Sequence, residues 1–299
     1  MAESQGGLGG VRTVLRDLVG AFTPLAVRSL RQEIDDRLAK IPTHLNEYGY
    51  DGFGFHPDSA RNSLLPAALL YRYYFRTEVH GIENMPPGRV LLICNHAGQL
   101  PFDGAMLGVA MVLEADPPRI ARPMGEYWIP RLPWFNVAAA RSGALVGTPE
   151  NCVAMLEMGE AVMVFPEGVR GMNKTWSQRY KLQRFGTGFM RLALETDTPI
   201  VPIVLVGSEE QNPGIANLGE LGERFGFPAL PITATFPWLG PLGLLPLPVK
   251  YRFYFGEPMR FEGDPNDEDA SIEEKVTRVR ERMEALFERG LAERGGIFR

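Results

Sequence analysis

Two short segments of this chain gather side chains that can move protons and hold a polar ligand: Asn95-His96-Ala97-Gly98-Gln99-Leu100-Pro101-Phe102-Asp103 and Phe165-Pro166-Glu167-Gly168-Val169-Arg170-Gly171. Histidine titrates near neutral pH, so it can take a proton from a hydroxyl and pass it on. A carboxylate on the opposite ring nitrogen fixes the tautomer and stabilises the imidazolium. His96 and Asp103 can make such a pair if the turn between them brings the side chains together. The structural alternative for Asp103 is a helix cap, its carboxylate on the amides that follow, and for His96 a satisfied buried histidine. In the second segment a carboxylate can accept hydrogen bonds from hydroxyls, a glycine lets a ligand approach the main chain, and a guanidinium can grip a phosphate through two parallel bonds. The plain alternative for Arg170 is a surface ion pair. Acyl transfer from a thioester to an alcohol would use such a set. The hydroxyl needs a base and the tetrahedral oxyanion needs donors, while the thiolate leaves readily because thiol pKa values lie near roughly 8.5.

Both segments follow apolar runs that read as buried strands, residues 90–93 and 161–164. In an α/β sheet, residues just past the carboxyl ends of strands line the ligand crevice, so one place receives these polar side chains. A third segment, residues 199–210, completes the set. Strands are predicted near Val79, at 90–94, near 119–122, at 144–146, at 161–165, at 200–206 and at 249–255. Helices are predicted over 64–75, 104–113, 149–158 and 186–196. Thr148-Pro149 and Asp103-Gly104 read as helix starts, and a final helix opens at Ser271 with Glu274 completing a capping box. The fold class is therefore α/β, a mainly parallel mixed sheet flanked by helices, with an N-terminal amphipathic helical pair. In that pair Val11, Leu15, Leu18 and Phe22 repeat at helical spacing, as do Val27, Leu30, Ile34 and Leu38, with Thr23-Pro24 between them. Residues 1–58 would form this helical segment and an irregular linker, and residues 59–299 the main domain. The pair either packs on the main domain or lies on a membrane surface, and both readings stand. Residues 236–248 are apolar but rich in proline and glycine. They form either a buried loop or an exposed patch that meets a bilayer or borders an acyl-chain tunnel.

Composition narrows the field. The chain has 299 residues and a net charge of −5, without a basic arm of interleaved aromatics, which argues against nucleic acid. Cys94 and Cys152 lie far apart in apolar neighbourhoods and read as buried thiols in a reducing compartment. The opening residues do not read as a secretory signal, and no stretch reaches the roughly 18 uninterrupted apolar residues of a spanning helix. A cytoplasmic, soluble or membrane-peripheral protein is expected. No Gly-x-Ser-x-Gly elbow is present to support a serine hydrolase, and His44, His56, His80 and His96 lack metal-ligand spacing.

From about residue 77 to residue 258 the three segments together resemble the glycerolipid acyltransferase superfamily, the lysophosphatidic-acid acyltransferase-like enzymes. The resemblance implies that His96 is the catalytic base and Asp103 its orienting partner. It implies that Glu167, Gly168 and Arg170 line the acceptor site and that Pro202 shapes the same pocket. The acyl group would pass directly from acyl-CoA or acyl carrier protein to a lipid hydroxyl in glycerolipid or phospholipid biosynthesis. No metal, tightly held cofactor or covalent intermediate is expected. Two departures from the family pattern stand out. Six residues lie between His96 and Asp103 where four are usual, a spacing familiar from the branch resembling monoacylglycerol and diacylglycerol acyltransferases. The arginine that usually binds the acceptor phosphate has no counterpart in residues 143–150, where Pro149 stands near its place and Arg141 upstream is the remaining candidate. Loss of that cation favours a neutral acceptor. The expected partners are the thioester donor, the lipid acceptor and, peripherally, the inner face of the cell membrane. The rival reading is a lipid-binding or membrane-scaffolding relative that kept the fold without the reaction.

Overall fold

The computed structural model of the protein describes residues 23–127, 130, 134–218, 222 and 231–298. The helix predicted across Val11 to Phe22 lies outside the described residues. The strands are β1 (Glu78–His80), β2 (Val90–Cys94), β3 (Ala121–Gly125), β4 (Leu145–Val146), β5 (Ala161–Val164), β6 (Ile200–Val206), β7 (Gly214–Asn217), β8 (Pro231–Thr233) and β9 (Arg252–Phe255). Seven of them form one sheet in the order β1-β9-β6-β2-β5-β3-β4, and β7 and β8 make a separate antiparallel hairpin. Every neighbouring pair in the large sheet is parallel except β6 with β9.

Parallel strands covered on both faces are apolar throughout, which is why β2 and β6 are buried at every position. Alternation then divides β2 between two cores. Val90, Leu92 and Cys94 enter one, and Leu91 and Ile93 enter the other. The first core is closed by α1 (Pro24–Leu38), by α2 (Pro57–Leu69, continued by a π-helical turn over Leu70–Tyr74) and by α3 (Phe102–Leu113). α4 (Phe135–Arg141) touches α2 at its edge. The second core is closed by α5 (Pro149–Glu157), α7 (Gly188–Glu195) and α9 (Asp269–Glu293). Between these lie two short helices at strand ends, α6 (Val169–Met172) after β5 and α8 (Ser208–Gln211) after β6.

The α/β class and all seven strands of the large sheet match the sequence reading. The capping residues Thr23 and Thr148 also do what their positions predict, accepting from Ala26 N–H at 3.3 Å and Asn151 N–H at 3.2 Å. Three local expectations change. α9 begins two residues before Ser271, whose amide donates to the Glu268 carbonyl at 3.0 Å inside the first turn, so the Ser271–Glu274 box does not form. α2 starts at Pro57 rather than near Leu64, with His56 as its cap. The β7–β8 hairpin and α4 were not foreseen, because strands of four and three residues carry too little periodicity to read.

α1, the described member of the N-terminal pair, is fixed to this body. Leu30 and Ile34 are 1 % exposed, Glu33 pairs with both Arg72 guanidinium nitrogens at 2.6 and 2.8 Å, and Arg37 donates to the Val112 carbonyl at 2.8 Å. The irregular stretch before α2 is tied down as well. Asp51 accepts from the amides of Phe53 and Phe55 at 2.8 Å each and from Arg122 on β3 at 2.6 Å. Within residues 236–248, Trp238, Leu239, Leu242 and Leu245 are each more than half accessible, while Gly243 and Pro246 are buried.

Candidate active site

β2 ends at the centre of the sheet, and Asn95 extends it by one side chain. Asn95 is fully buried, and its Oδ1 accepts from the Leu205 amide of β6 at 2.7 Å, as another strand would. That bond fixes the backbone that carries His96. The imidazole Nδ1 lies 2.6 Å from Asp103 Oδ2, and its ring stacks on Phe165 with centroids 4.3 Å apart. Asp103 is 0 % exposed; its Oδ2 also accepts from Ala97 N–H at 3.0 Å and its Oδ1 from Gly104 N–H at 2.8 Å. The N-cap of α3 is Pro101, so Asp103 is not its cap; from the first turn this one carboxylate takes the Gly104 amide and pairs with the imidazole. With Nδ1 held by Asp103, Nε2 is the nitrogen without a hydrogen-bond partner among the described residues.

Glu167 follows β5 and reaches the same place from below. It is 1 % exposed, and its oxygens are already used inside the protein. Oε1 accepts from the His96 amide at 3.0 Å and Oε2 from the Gln183 amide at 2.7 Å, with Lys174 Nζ at 3.5 Å from Oε2. It lies beneath the histidine rather than open to an acceptor hydroxyl. The His96 and Gln183 amides hold the carboxylate inward, while Gly168, at φ 55°, turns the chain after it so that Arg170 emerges on α6. Arg170 is exposed, its guanidinium making one long bond of 3.3 Å to the Arg184 carbonyl. Arg141 stands exposed at the end of α4, its carbonyl accepting from His56 N–H at 3.0 Å. Among the described residues no hydrogen bond or ion pair joins its guanidinium to the dyad. Pro202 sits in mid-strand on β6, facing Gly256 and away from the strand end.

Sequence reasoning missed four supporting residues. Phe165 provides the face on which the imidazole rests. Gly171 brings α6 against His96: a Cβ there would lie 2.7 Å from the His96 carbonyl oxygen and 2.9 Å from its Cβ. Glu126, just past β3, brings its carboxylate to the edge of Gly168, 3.4 Å from where a Cβ would stand. Lys174 is buried between Glu167 and Glu209, the latter 2.5 Å from its Nζ. Burial opposes its charge, but Glu209 and Glu167 outweigh that and hold the Lys174 pKa above its ordinary value. Only the absence of acids across residues 168–194 hinted that a lysine there would be recruited by carboxylates elsewhere in the chain. Among the described residues no group of three or more His, Cys, Asp or Glu side chains could share a metal ion. Cys94 and Cys152 are both free and buried, and burial raises both thiol pKa values, that of Cys152 to about 11.

Comparison with known proteins bears on the family and the fold. The acyltransferase family profile matches residues 76–206, from the approach to β1 through the end of β6. An uncharacterized protein of Mycobacterium tuberculosis is 40% identical over 260 residues, covering 84% of this chain and 72% of that protein. A mouse protein described as a DGAT1/2-independent enzyme synthesizing storage lipids is 27% identical over 225 residues, 71% of this chain and 60% of its own length. The crystal structure of the 1-acyl-sn-glycerophosphate acyltransferase PlsC from Thermotoga maritima superposes with a TM-score of 0.53 at 18% identity. It covers 79% of this chain and 81% of that one, and shows the shared fold. By class the protein is an acyltransferase. Within that class the chain belongs to the acyltransferase family whose profile it matches.

Proposed function

We propose that the protein transfers a fatty acyl group from a thioester, acyl-CoA or acyl carrier protein, directly to a hydroxyl of a neutral glycerolipid. The observation that carries this reading is the 2.6 Å contact between His96 Nδ1 and a wholly buried Asp103, which leaves Nε2 for a substrate. Nε2 takes the proton of the acceptor hydroxyl as its oxygen attacks the thioester carbonyl. The new C–O bond forms, the tetrahedral oxyanion collapses, the C–S bond breaks, and the leaving thiolate takes the proton from the imidazolium. Asp103 holds the tautomer and stabilises the imidazolium throughout. Both substrates bind together, so no acyl-enzyme is required. Glu167 acts by holding the His96 backbone, and Arg170, exposed on α6, lines the acceptor site.

A neutral acceptor, a monoacylglycerol or diacylglycerol, is favoured by the lack of an arginine in residues 143–150 and by the storage-lipid role in the mouse relative's name. Lysophosphatidate, by analogy with the Thermotoga enzyme, is the competing acceptor. The protein would act at the cytoplasmic face of the cell membrane. Among the described residues no helix is long and apolar enough to cross it, while exposed Trp238, Leu239, Leu242 and Leu245 suit peripheral contact.

The test is thiol release from palmitoyl-CoA by the wild type and His96→Ala, with lysophosphatidate, monoacylglycerol, diacylglycerol and a fatty alcohol offered in detergent. Release that depends on a neutral acceptor and disappears in the variant is the expected result. A strict phosphate requirement overturns the neutral acceptor. Release without acceptor makes the protein a thioesterase. No turnover with either CoA or carrier-protein thioesters returns the scaffold reading.

A further inference from the structure

Six residues separate His96 from Asp103, and no regular element holds the first five of them, residues 97–101, before α3 begins at Phe102. Two left-handed residues turn the middle of this spacer, Gly98 at φ 90° and Gln99 at φ 64°. The Leu100 amide donates to the Gly98 carbonyl at 2.7 Å and the Phe102 amide to the Leu100 carbonyl at 2.8 Å, so the chain folds in two tight steps before α3. These bonds are internal to the loop and do not fix where it sits.

The side chain of Gln211, fully buried at the end of α8, makes the outside contacts. Its Nε2 donates to the Gly98 carbonyl at 2.8 Å and to the Leu100 carbonyl at 3.2 Å. The Tyr251 hydroxyl donates to Gln211 Oε1, and Tyr251 is itself stacked on Phe75 with centroids 4.2 Å apart. An amide whose oxygen is so engaged presents its NH2 group to the loop. A Cβ on Gly98 would lie 2.2 Å from Gln211 Nε2 and 2.5 Å from the Ser208 carbonyl, so only glycine lets the spacer come this close. On its other side the loop is tied by Gln99, whose Nε2 donates to the Lys174 carbonyl at 2.7 Å.

We propose that Gln211 is a positioning residue of the active site, holding the spacer by its Gly98 and Leu100 carbonyls and so setting the approach of Asp103 to His96. The proposal rests on the reading of His96 and Asp103 as the acid–base pair. Gln211 touches neither the imidazole nor a reacting atom. Its effect is to remove freedom that a longer spacer would otherwise keep, since each unfixed residue retains backbone entropy.

Two variants test this. Gln211→Leu combined with Tyr251→Phe removes both partners, so no buried polar group is stranded. Gln211→Glu keeps an acceptor for Tyr251 but turns a carboxylate oxygen toward two carbonyls, and regains a donor only when protonated. The readouts are the downfield proton resonance of the His96 Nδ1–H, kcat and KM separately, and the melting temperature. The double variant should melt near the wild type, with its resonance broadened or moved, kcat lowered about 10- to 100-fold and KM unchanged. The activity of Gln211→Glu relative to wild type should rise as pH falls. A folded double variant with the wild-type resonance and kcat overturns the proposal. If the wild type turns over no acyl substrate, the functional reading fails, and the resonance alone still decides whether Gln211 positions the pair.

Discussion

Gly171 lies so close to His96 that a single added methyl group would meet the histidine's carbonyl oxygen at 2.7 Å and its Cβ at 2.9 Å. Two strand-end loops, far apart in sequence, are packed at backbone contact. The same imaginary methyl would also stand 2.9 Å from the Glu167 Cβ. Gly171→Ala must therefore push α6 away from the dyad. We expect kcat to fall about 10- to 100-fold, because displacements on the order of 1 Å near a reacting centre have that effect, together with a lower melting temperature. Steady-state kinetics and thermal melts check both. Wild-type kcat in this variant would mean that α6 does not control the histidine.

Asp103→Asn separates charge from shape. An amide oxygen can still accept from Ala97 or Gly104, but it cannot stabilise an imidazolium as a carboxylate does. Turnover should drop by about 10²- to 10⁴-fold while unfolding in urea changes little. An Asn variant that retains full activity would reduce Asp103 to a structural residue of the first turn of α3.

Lys174 offers a stability test apart from the chemistry. It is the cation between two buried carboxylates, so Lys174→Met leaves Glu167 and Glu209 uncompensated. Breaking a buried pair on one side costs about 3–5 kcal/mol. Adding Glu209→Gln to the variant should recover a large part of that loss. Chemical denaturation of the single and double variants measures it, and equal stabilities would remove the proposed coupling.

The pair between α1 and the π-helical turn gives a pH dependence. Arg72, bonded to Glu33, holds that carboxyl below its ordinary value of 4.5 against partial burial. A folded pKa below the unfolded one stabilises the fold above the unfolded value, and that stability is lost as pH falls through the folded pKa. Glu33→Gln should therefore melt below the wild type near neutral pH. The difference should shrink as the pH is taken below 4.5 and disappear once Glu33 is protonated in the folded protein. A gap that stays constant into acid would rule out ionisation of Glu33 as its source.

Residue order alone says which side chains could do chemistry and that strand ends would deliver them. Apolar runs such as residues 90–94 and 200–206 have one stable place, the middle of a covered parallel sheet, so the polar residues after them fall on one edge. His96, Asp103 and the class of fold were legible for that reason. Tertiary structure decided what the local pattern does not encode. The carboxylate of Glu167 could have faced a ligand or the protein interior, and the amides of His96 and Gln183 hold it inward. The long spacer before Asp103 looked like a departure, and it is accommodated because Gly98 fits against Gln211, a residue 113 positions away in the chain. Such contacts depend on close packing between distant segments, and periodicity and capping signals report only on neighbours within a few residues.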